Sequence, residues 1–302
     1  GAIGIELAKE LSRYSDEIRL VSRNPKKINV GDRIFMADLT RNEEVDLAVK
    51  GSKVVYLVAG LPYKTKTWKT NWPLIMRNVI EACKKHKARL VFFDNVYMLD
   101  PEHLDNISEK TPISPVSKKG KVRAEITEML MSEIEQGNLN ALIARAPDFI
   151  GLKNSMLIEL GAMKFMKGKK AMWFGGIDNK HSFIYIPDAA RATALLGNTD
   201  EAFDQIWNLP AIGNDMTTRN WLELIAKELN VQPGFMVLSP PIMTAMGMFV
   251  PIIKELKEMA YQFTKDYYFN SSKFINYFNY KPVTPEFAVK EVVKALKSQT
   301  KE

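Results

Sequence analysis

Gly1-Ala2-Ile3-Gly4 leads directly into Ile5-Glu6-Leu7-Ala8-Lys9-Glu10-Leu11, where apolar residues recur at helical spacing. Two glycines three apart at the start of a helix fit a βα turn whose backbone lies against an anion. A Cβ there would block the approach of phosphate to backbone or of helix to strand, and the first turn offers free N–H groups and a positive dipole end. On this reading Gly1, Ile3 and Gly4 touch the pyrophosphate of a dinucleotide, and a strand and the first glycine of a G-x-x-G-x-x-G run are expected ahead of Gly1. G-x-x-G is also how ordinary helices begin, so the reading depends on the pattern of the remaining chain.

That pattern is alternation. Ile18 to Val21, Arg33 to Met36, Val54 to Val58, Leu90 to Phe93 and Ala141 to Ala144 are short apolar runs separated by helical patterns. This predicts an α/β chain with a Rossmann-like, doubly wound parallel sheet. The continuously apolar VVYLV and LVFF suit strands covered on both faces. After Gly151 the pattern changes to a helix over 155–167, a turn at Gly175-Gly176, a strand-like HSFIYI and a mostly helical tail with Pro-rich joints. The predicted organisation is a Rossmann domain of residues 1–150, completed by about 181–209, and a smaller, mostly helical substrate-binding region from about 151–180 and 210–302.

The 302 residues are 46% hydrophobic and 25% charged, with a net charge of +7. The lysines are spread along the chain and interleaved with Asp and Glu, which describes a solvated surface and not a nucleic-acid footprint. The single cysteine, Cys83, excludes an intramolecular disulfide, reads as a buried apolar side chain and fits a reducing cytoplasm. Residues 235–253, FMVLSPPIMTAMGMFVPII, are interrupted by Pro240, Pro241 and Pro251, so no membrane span is expected; the stretch reads as core or as a Met-rich pocket or partner surface. No metal-ligand spacing and no G-x-S-x-G elbow occurs.

Ligands of open α/β sheets bind beyond the carboxyl ends of the strands. After the first run stand Ser22 and Arg23, a small donor and a guanidinium where a ribose 2′-phosphate would sit; an NAD site puts a carboxylate there, so NADP is favoured over NAD. After the second run come Asp38, able to accept from the adenine amino group or to cap a helix, and Leu39. After the third, Ala59-Gly60-Leu61-Pro62 is a small-residue bend against which a cofactor could lie, or a plain turn.

Taken in order, these motifs resemble the extended short-chain dehydrogenase/reductase group, the NAD(P)-dependent epimerase/dehydratase or nucleoside-diphosphate-sugar epimerase family. GAIGIELAKEL is similar to its glycine turn, Asp38-Leu39 to its adenine-contacting pair, Asn78-Val79-Ile80-Glu81-Ala82 to its helix before the next strand, and FFDNVYM to its strand-end Val-Tyr motif. Arg145 to Gly151 resembles the Arg-x-x-x-x-x-Gly segment, and His181 to Arg191 the late strand-to-helix signature. The resemblance implies a hydride-transferring enzyme on a small molecule such as a nucleotide-sugar, and dimerisation through helices near 69–86 and 117–136. It also implies a Tyr-x-x-x-Lys pair, in which the lysine lowers the phenol pKa and bonds the nicotinamide ribose. Here Lys121 takes the lysine position, but Ser117 stands where the tyrosine belongs, and a serine hydroxyl is no comparable proton donor near neutrality.

At the strand end remain Asn95 and Tyr97, with Asp94 beside them. Three accounts stay open: an enzyme in which Tyr97 or Asp94 takes over proton transfer while Lys121 holds the ribose; a catalytically silent NADP-binding redox sensor or regulatory module; and a nucleic-acid binder, for which no recognised module is present. On the substrate side, His181, Asp148 and Trp173 are candidates, with a structural Arg145–Asp148 ion pair and a role for Lys167, Lys169 and Lys170 on a diphosphate also considered.

Overall fold

The computed structural model describes residues 1–247 and 251–299. Its first half runs α1 (Ala2–Leu11), β1 (Arg19–Ser22), β2 (Arg33–Met36), α2 (Asn42–Val49), β3 (Val54–Leu57), α3 (Thr65–His86), β4 (Arg89–Asp94), α4 (Lys118–Glu135) and β5 (Ala141–Arg145). The five apolar runs are these five strands. A later strand, β9 (Ile206–Asn208), joins them to give a four-stranded parallel sheet in the order β3-β4-β5-β9, while β1 and β2 form a separate parallel pair.

Strand alternation splits the apolar side chains between two covered faces. Phe92 and Ile143 point to α3 and α4, where they meet Ile75, Val79 and Ile126. Val91, Leu142 and Ala144 point the other way, to Ala189, Ala192 and Leu196 of α6 (Ile186–Gly197). Leu7 of α1 packs on Ala190 and Ala194 of that same helix. Cys83 is buried in α3, and burial pushes its thiol up to about 12, as for an inert core residue.

The rest of the chain builds its own core around Trp173, Phe183, Trp221, Leu222 and Val292. Its parts are β6 (Asp148–Ile150) paired in parallel with β8 (Phe183–Tyr185), α5 (Met163–Phe165), β7 (Ala171–Phe174) paired with β10 (Phe235–Leu238), α7 (Thr218–Leu229), α8 (Pro240–Gly247), α9 (Pro251–Lys257) and α11 (Pro285–Gln299), while α10 (Ser272–Phe278) packs Phe274 on Trp207 in the first core. The helix expected over 155–167 is present over 156–165, with a π turn, Ile158–Ala162, inserted before α5. Gly161 lies in that turn, where a Cβ would come within 2.6 Å of Leu222 Cδ2; glycine lets α7 press against the widened backbone. In the Met-rich stretch Met243 is buried while Met236 and Ile242 are about half exposed; its residues 248–250 lie outside the described residues. Among the described residues, no helix is long and apolar enough to cross a membrane.

Candidate functional site

The carboxyl ends of the strands carry two unlike groups of residues, a nucleotide half and a chemical half. In the nucleotide half, α1 begins at Ala2 with Gly1 as its N-cap, no side-chain cap and no carboxylate in its first turn. A Cβ at Gly4 would lie 3.5 Å from Val58 Cγ2, an ordinary contact, so helix–strand packing alone does not demand glycine there. Ser22 and Arg23 are exposed at the end of β1, and Arg23 forms no ion pair among the described residues. Asp38, at the end of the paired β2, accepts from the backbone N–H and hydroxyl of Thr40 at 2.9 and 2.8 Å. Those bonds, with the Arg23 and Arg41 charges, hold its carboxyl below the usual range. The Leu39 carbonyl is taken by the Asn78 side chain at 3.0 Å. Ala59 is half-buried, and Gly60 is exposed with open space where a Cβ would be. A guanidinium without a described ion pair near the Asp38 carboxylate, and bare backbone at Gly60, are chemistry that a dinucleotide could use.

In the chemical half, most groups are already engaged. Asp94, at the end of β4, is buried and accepts from Arg123 Nε at 2.8 Å, from Arg123 Nη2, from the Asn95 N–H at 2.8 Å and from Thr127 Oγ1 at 3.2 Å. The guanidinium also lies over the rings of Trp72 and Phe92. A carboxylate with four donors is a structural anchor and not a free base. Asn95 turns back to accept from the Tyr97 N–H at 3.0 Å. Ser117 is the N-cap of α4, accepting from Gly120 N at 2.9 Å. Gly120 in turn is pressed so close to the Tyr97 carbonyl that no Cβ would fit. Lys121 is exposed, in a groove shared with Lys69, Lys118, Val122 and Glu125 between α3 and α4. The helix explains this: Lys119, Arg123 and Thr127 recur every four residues on the face toward the sheet, and Lys121 lies about 200° around from Lys119.

Tyr97 is half-buried at the mouth of β4, stacked on Trp68 at 6.1 Å and edge-on to Tyr63 at 6.5 Å. Burial and the Asp148 carboxylate push the Tyr97 phenol above the ordinary tyrosine value, and burial does the same to Tyr63 and Tyr267. Asp148, at the start of β6, lies 2.9 Å from Nε2 of the buried His181; the acceptor carboxylate places the ring proton on Nε2. The imidazole is sandwiched between Tyr267 at 4.4 Å and Phe263 at 5.2 Å. The structure thus brings Tyr97, Asp148 and His181 into one cluster.

Two expectations need correcting, those for Trp173 and Arg145. Trp173 is in the core, edge-on to Phe263. Arg145 forms no ion pair with Asp148; it is fully buried with Nε and Nη1 unpartnered, on the strand position paired with Asp94. Lys167, Lys169 and Lys170 are exposed on the second core's surface, beyond α5.

Sequence reading overlooked Lys119 and Tyr63. Lys119 is fully buried, with its ammonium 4.3 Å above the Tyr63 ring and bonded to Glu255, to Glu258 at 2.7 Å and to Thr65 Oγ1 at 3.2 Å. The four-residue repeat of Lys119, Arg123 and Thr127 was the available signal; the distant carboxylates had none. No group of His, Cys, Asp and Glu able to hold a metal occurs among the described residues.

A parallel sheet covered on both faces, with an uncapped glycine turn and a basic residue at its first strand end, defines a Rossmann protein. The chain belongs to the NAD dependent epimerase/dehydratase family, whose profile matches residues 1–209. In sequence, no curated protein matches it. In fold it is similar to UDP-glucose 4-epimerase of Thermus thermophilus, solved with NAD, at TM-score 0.75 and 18% identity over 97% of this chain and 94% of that one. It is also similar to UDP-glucuronic acid 4-epimerase of Bacillus cereus with NAD, at TM-score 0.78 and 15% identity over 100% and 95% of the two chains. The dTDP-glucose 4,6-dehydratase of Bacillus anthracis str. Ames with NAD gives TM-score 0.79 and 14% identity over 99% and 94%.

Proposed function

We propose that this protein binds NADP in preference to NAD and is an oxidoreductase of the epimerase/dehydratase type, acting on a small molecule such as a nucleotide-sugar with Tyr97 as its proton donor. The observation that carries the reading is the half-buried Tyr97, packed on Tyr63 and Trp68, beside the Asp148–His181 pair at the mouth of β4. When bound, the nicotinamide supplies a hydride; the chain's own residues must supply the proton. A phenol raised above its ordinary value holds its proton at neutral pH. It can donate to a developing alkoxide, whose own pKa is higher still, but is a poor base for removing a proton from an alcohol. Carbonyl reduction therefore suits this site better than alcohol oxidation or the first half of an epimerisation. Arg23 and Ser22 would hold the 2′-phosphate, Asp38 the adenine, and Gly1, Ile3, Gly4 and the Ala59-Gly60 bend the rest of the cofactor.

The test is a screen of carbonyl compounds and sugar nucleotides at saturating NADPH, then Tyr97→Phe assayed on whichever turns over. We expect kcat to fall by about 10²–10⁴-fold with NADPH affinity kept; an unchanged kcat removes Tyr97 from the mechanism. A second reading, a silent NADP-binding module, is favoured by Ser117 serving as a helix cap and Lys121 facing outward. NADPH binding without turnover on any substrate supports it.

A further inference from the structure

The proposed chemistry makes no use of Lys119. This side chain is wholly buried, and a buried ammonium is tolerated only when paired and hydrogen-bonded. Both its ionic partners come from far along the chain, Glu255 near the end of α9 and Glu258 just beyond it. Each carboxylate does a second job. Glu255 Oε2 accepts from the Thr65 N–H at 3.1 Å and its hydroxyl at 2.7 Å, at the first residue of α3. Glu258 Oε2 accepts from the Lys118 N–H at 2.9 Å, at the first residue of α4. Two helix N-termini and one ammonium are thus closed over by two side chains of one segment. That segment continues through Tyr261 to Phe263, whose ring lies on His181 and whose carbonyl accepts from Asn179. Tyr261 and Glu258 both act on the electrostatics of the tyrosine cluster.

We infer that Lys119, Glu255 and Glu258 form a charge latch that holds the strap of residues 255–263 shut over the Tyr97–His181 cluster, and that a small-molecule ligand reaches the cluster when this latch opens. The asymmetry of burial favours a latch over a permanent rivet. Lys119 has no exposed surface, whereas the side chains of Glu255 and Glu258 are 27% and 19% exposed, so water can take over the carboxylates from their outer side. On its inner side the strap meets aromatic faces, which slide apart without leaving unpaired charge. Lys119 also lies over the Tyr63 ring, so the same ammonium that closes the strap positions the ring that meets Tyr97 edge-on. What the cluster does once reached rests on the proposed function; the latch itself rests on contacts within the chain.

The experiment uses the full chain without cofactor or substrate, so it stands or falls apart from turnover. Amide hydrogen exchange and hydroxyl-radical footprinting are compared for the wild type, Lys119→Met, Lys119→Arg and the double variant Glu255→Gln/Glu258→Gln. We expect exchange over 255–263 and the first turns of α3 and α4 to rise roughly tenfold in Lys119→Met and in the double variant, with Tyr63 and Tyr97 oxidised several-fold faster and β4 and β5 unchanged. Lys119→Arg, which keeps the charge, should return most of the protection. If Lys119→Met fails to fold, the double variant carries the test. Strap exchange within about twofold of wild type, or a rise spread equally through β4 and β5, overturns the latch.

Discussion

The nucleotide half and the chemical half manage their polar groups in opposite ways. At the nucleotide end, Arg23 stands exposed without an ionic partner and α1 starts uncapped beside the open backbone of Gly60. At the chemical end, Asp94, Ser117 and Lys119 are each fully engaged by other parts of the chain. On the proposed reading, hydrogen-bonding capacity left idle at a strand mouth is kept for the cofactor, whereas capacity consumed internally fixes shape. The contrast explains why the cofactor half keeps its family resemblance while the tyrosine-lysine pair does not: in this chain the start of α4 serves as a cap and an anchoring face.

Asp94 is where this contrast can be broken most severely. If its carboxylate is a structural anchor, Asp94→Asn leaves the buried Arg123 guanidinium short of its counter-charge and should cost about 3–5 kcal/mol in urea denaturation; a loss of activity with stability intact would instead make Asp94 a chemical group. Next in size, Arg23→Ala should weaken NADPH about 10–100-fold, the value of a charge-assisted bond of roughly 1.5–3 kcal/mol, while leaving NADH affinity unchanged by fluorescence titration. Equal losses for both cofactors would remove Arg23 from the 2′-phosphate. Smaller still, Ser117→Ala should cost about 1 kcal/mol of thermal stability through the lost N-cap, with no effect on any turnover.

Acid gives a fourth handle. Burial pushes the Glu255 carboxyl up, but the bonds from Lys119 and Thr65 outweigh it and hold the group below its ordinary 4.5. A depressed carboxyl contributes stability that is fully present above its unfolded value and is lost as pH falls through the folded one. Exchange of residues 255–263, corrected for the intrinsic rate, should therefore be flat above about pH 5 and climb below the ordinary carboxylate range. A profile flat down to the global acid transition would mean that Glu255 does not hold the strap.

Much of the fold was legible because its signals are local. Val54 to Leu57 and Leu90 to Phe93 are apolar throughout since both faces of the sheet are covered, and that pattern survives in any register. The positions of Ser22, Arg23 and Asp38 were legible for a related reason, that they stand at or just after the ends of their strands. The chemical half was not. Placing Lys121 at the site relied on an alignment position, whereas helix geometry turns Lys119, Arg123 and Thr127 inward. The partners of Lys119 lie 136 and 139 residues away, a separation no local pattern encodes. Trp173 looked available beside two glycines, yet the pairing of β7 with β10 puts it inside the second core.

On the proposed reading, the idle groups at the nucleotide end are there for NADP. The most direct measurement is a paired fluorescence titration of the wild-type protein with NADPH and NADH under one salt condition. We predict saturable NADPH binding at least about tenfold tighter than NADH, a difference of roughly 1.4 kcal/mol. Binding of neither cofactor, or a preference for NADH, would contradict it.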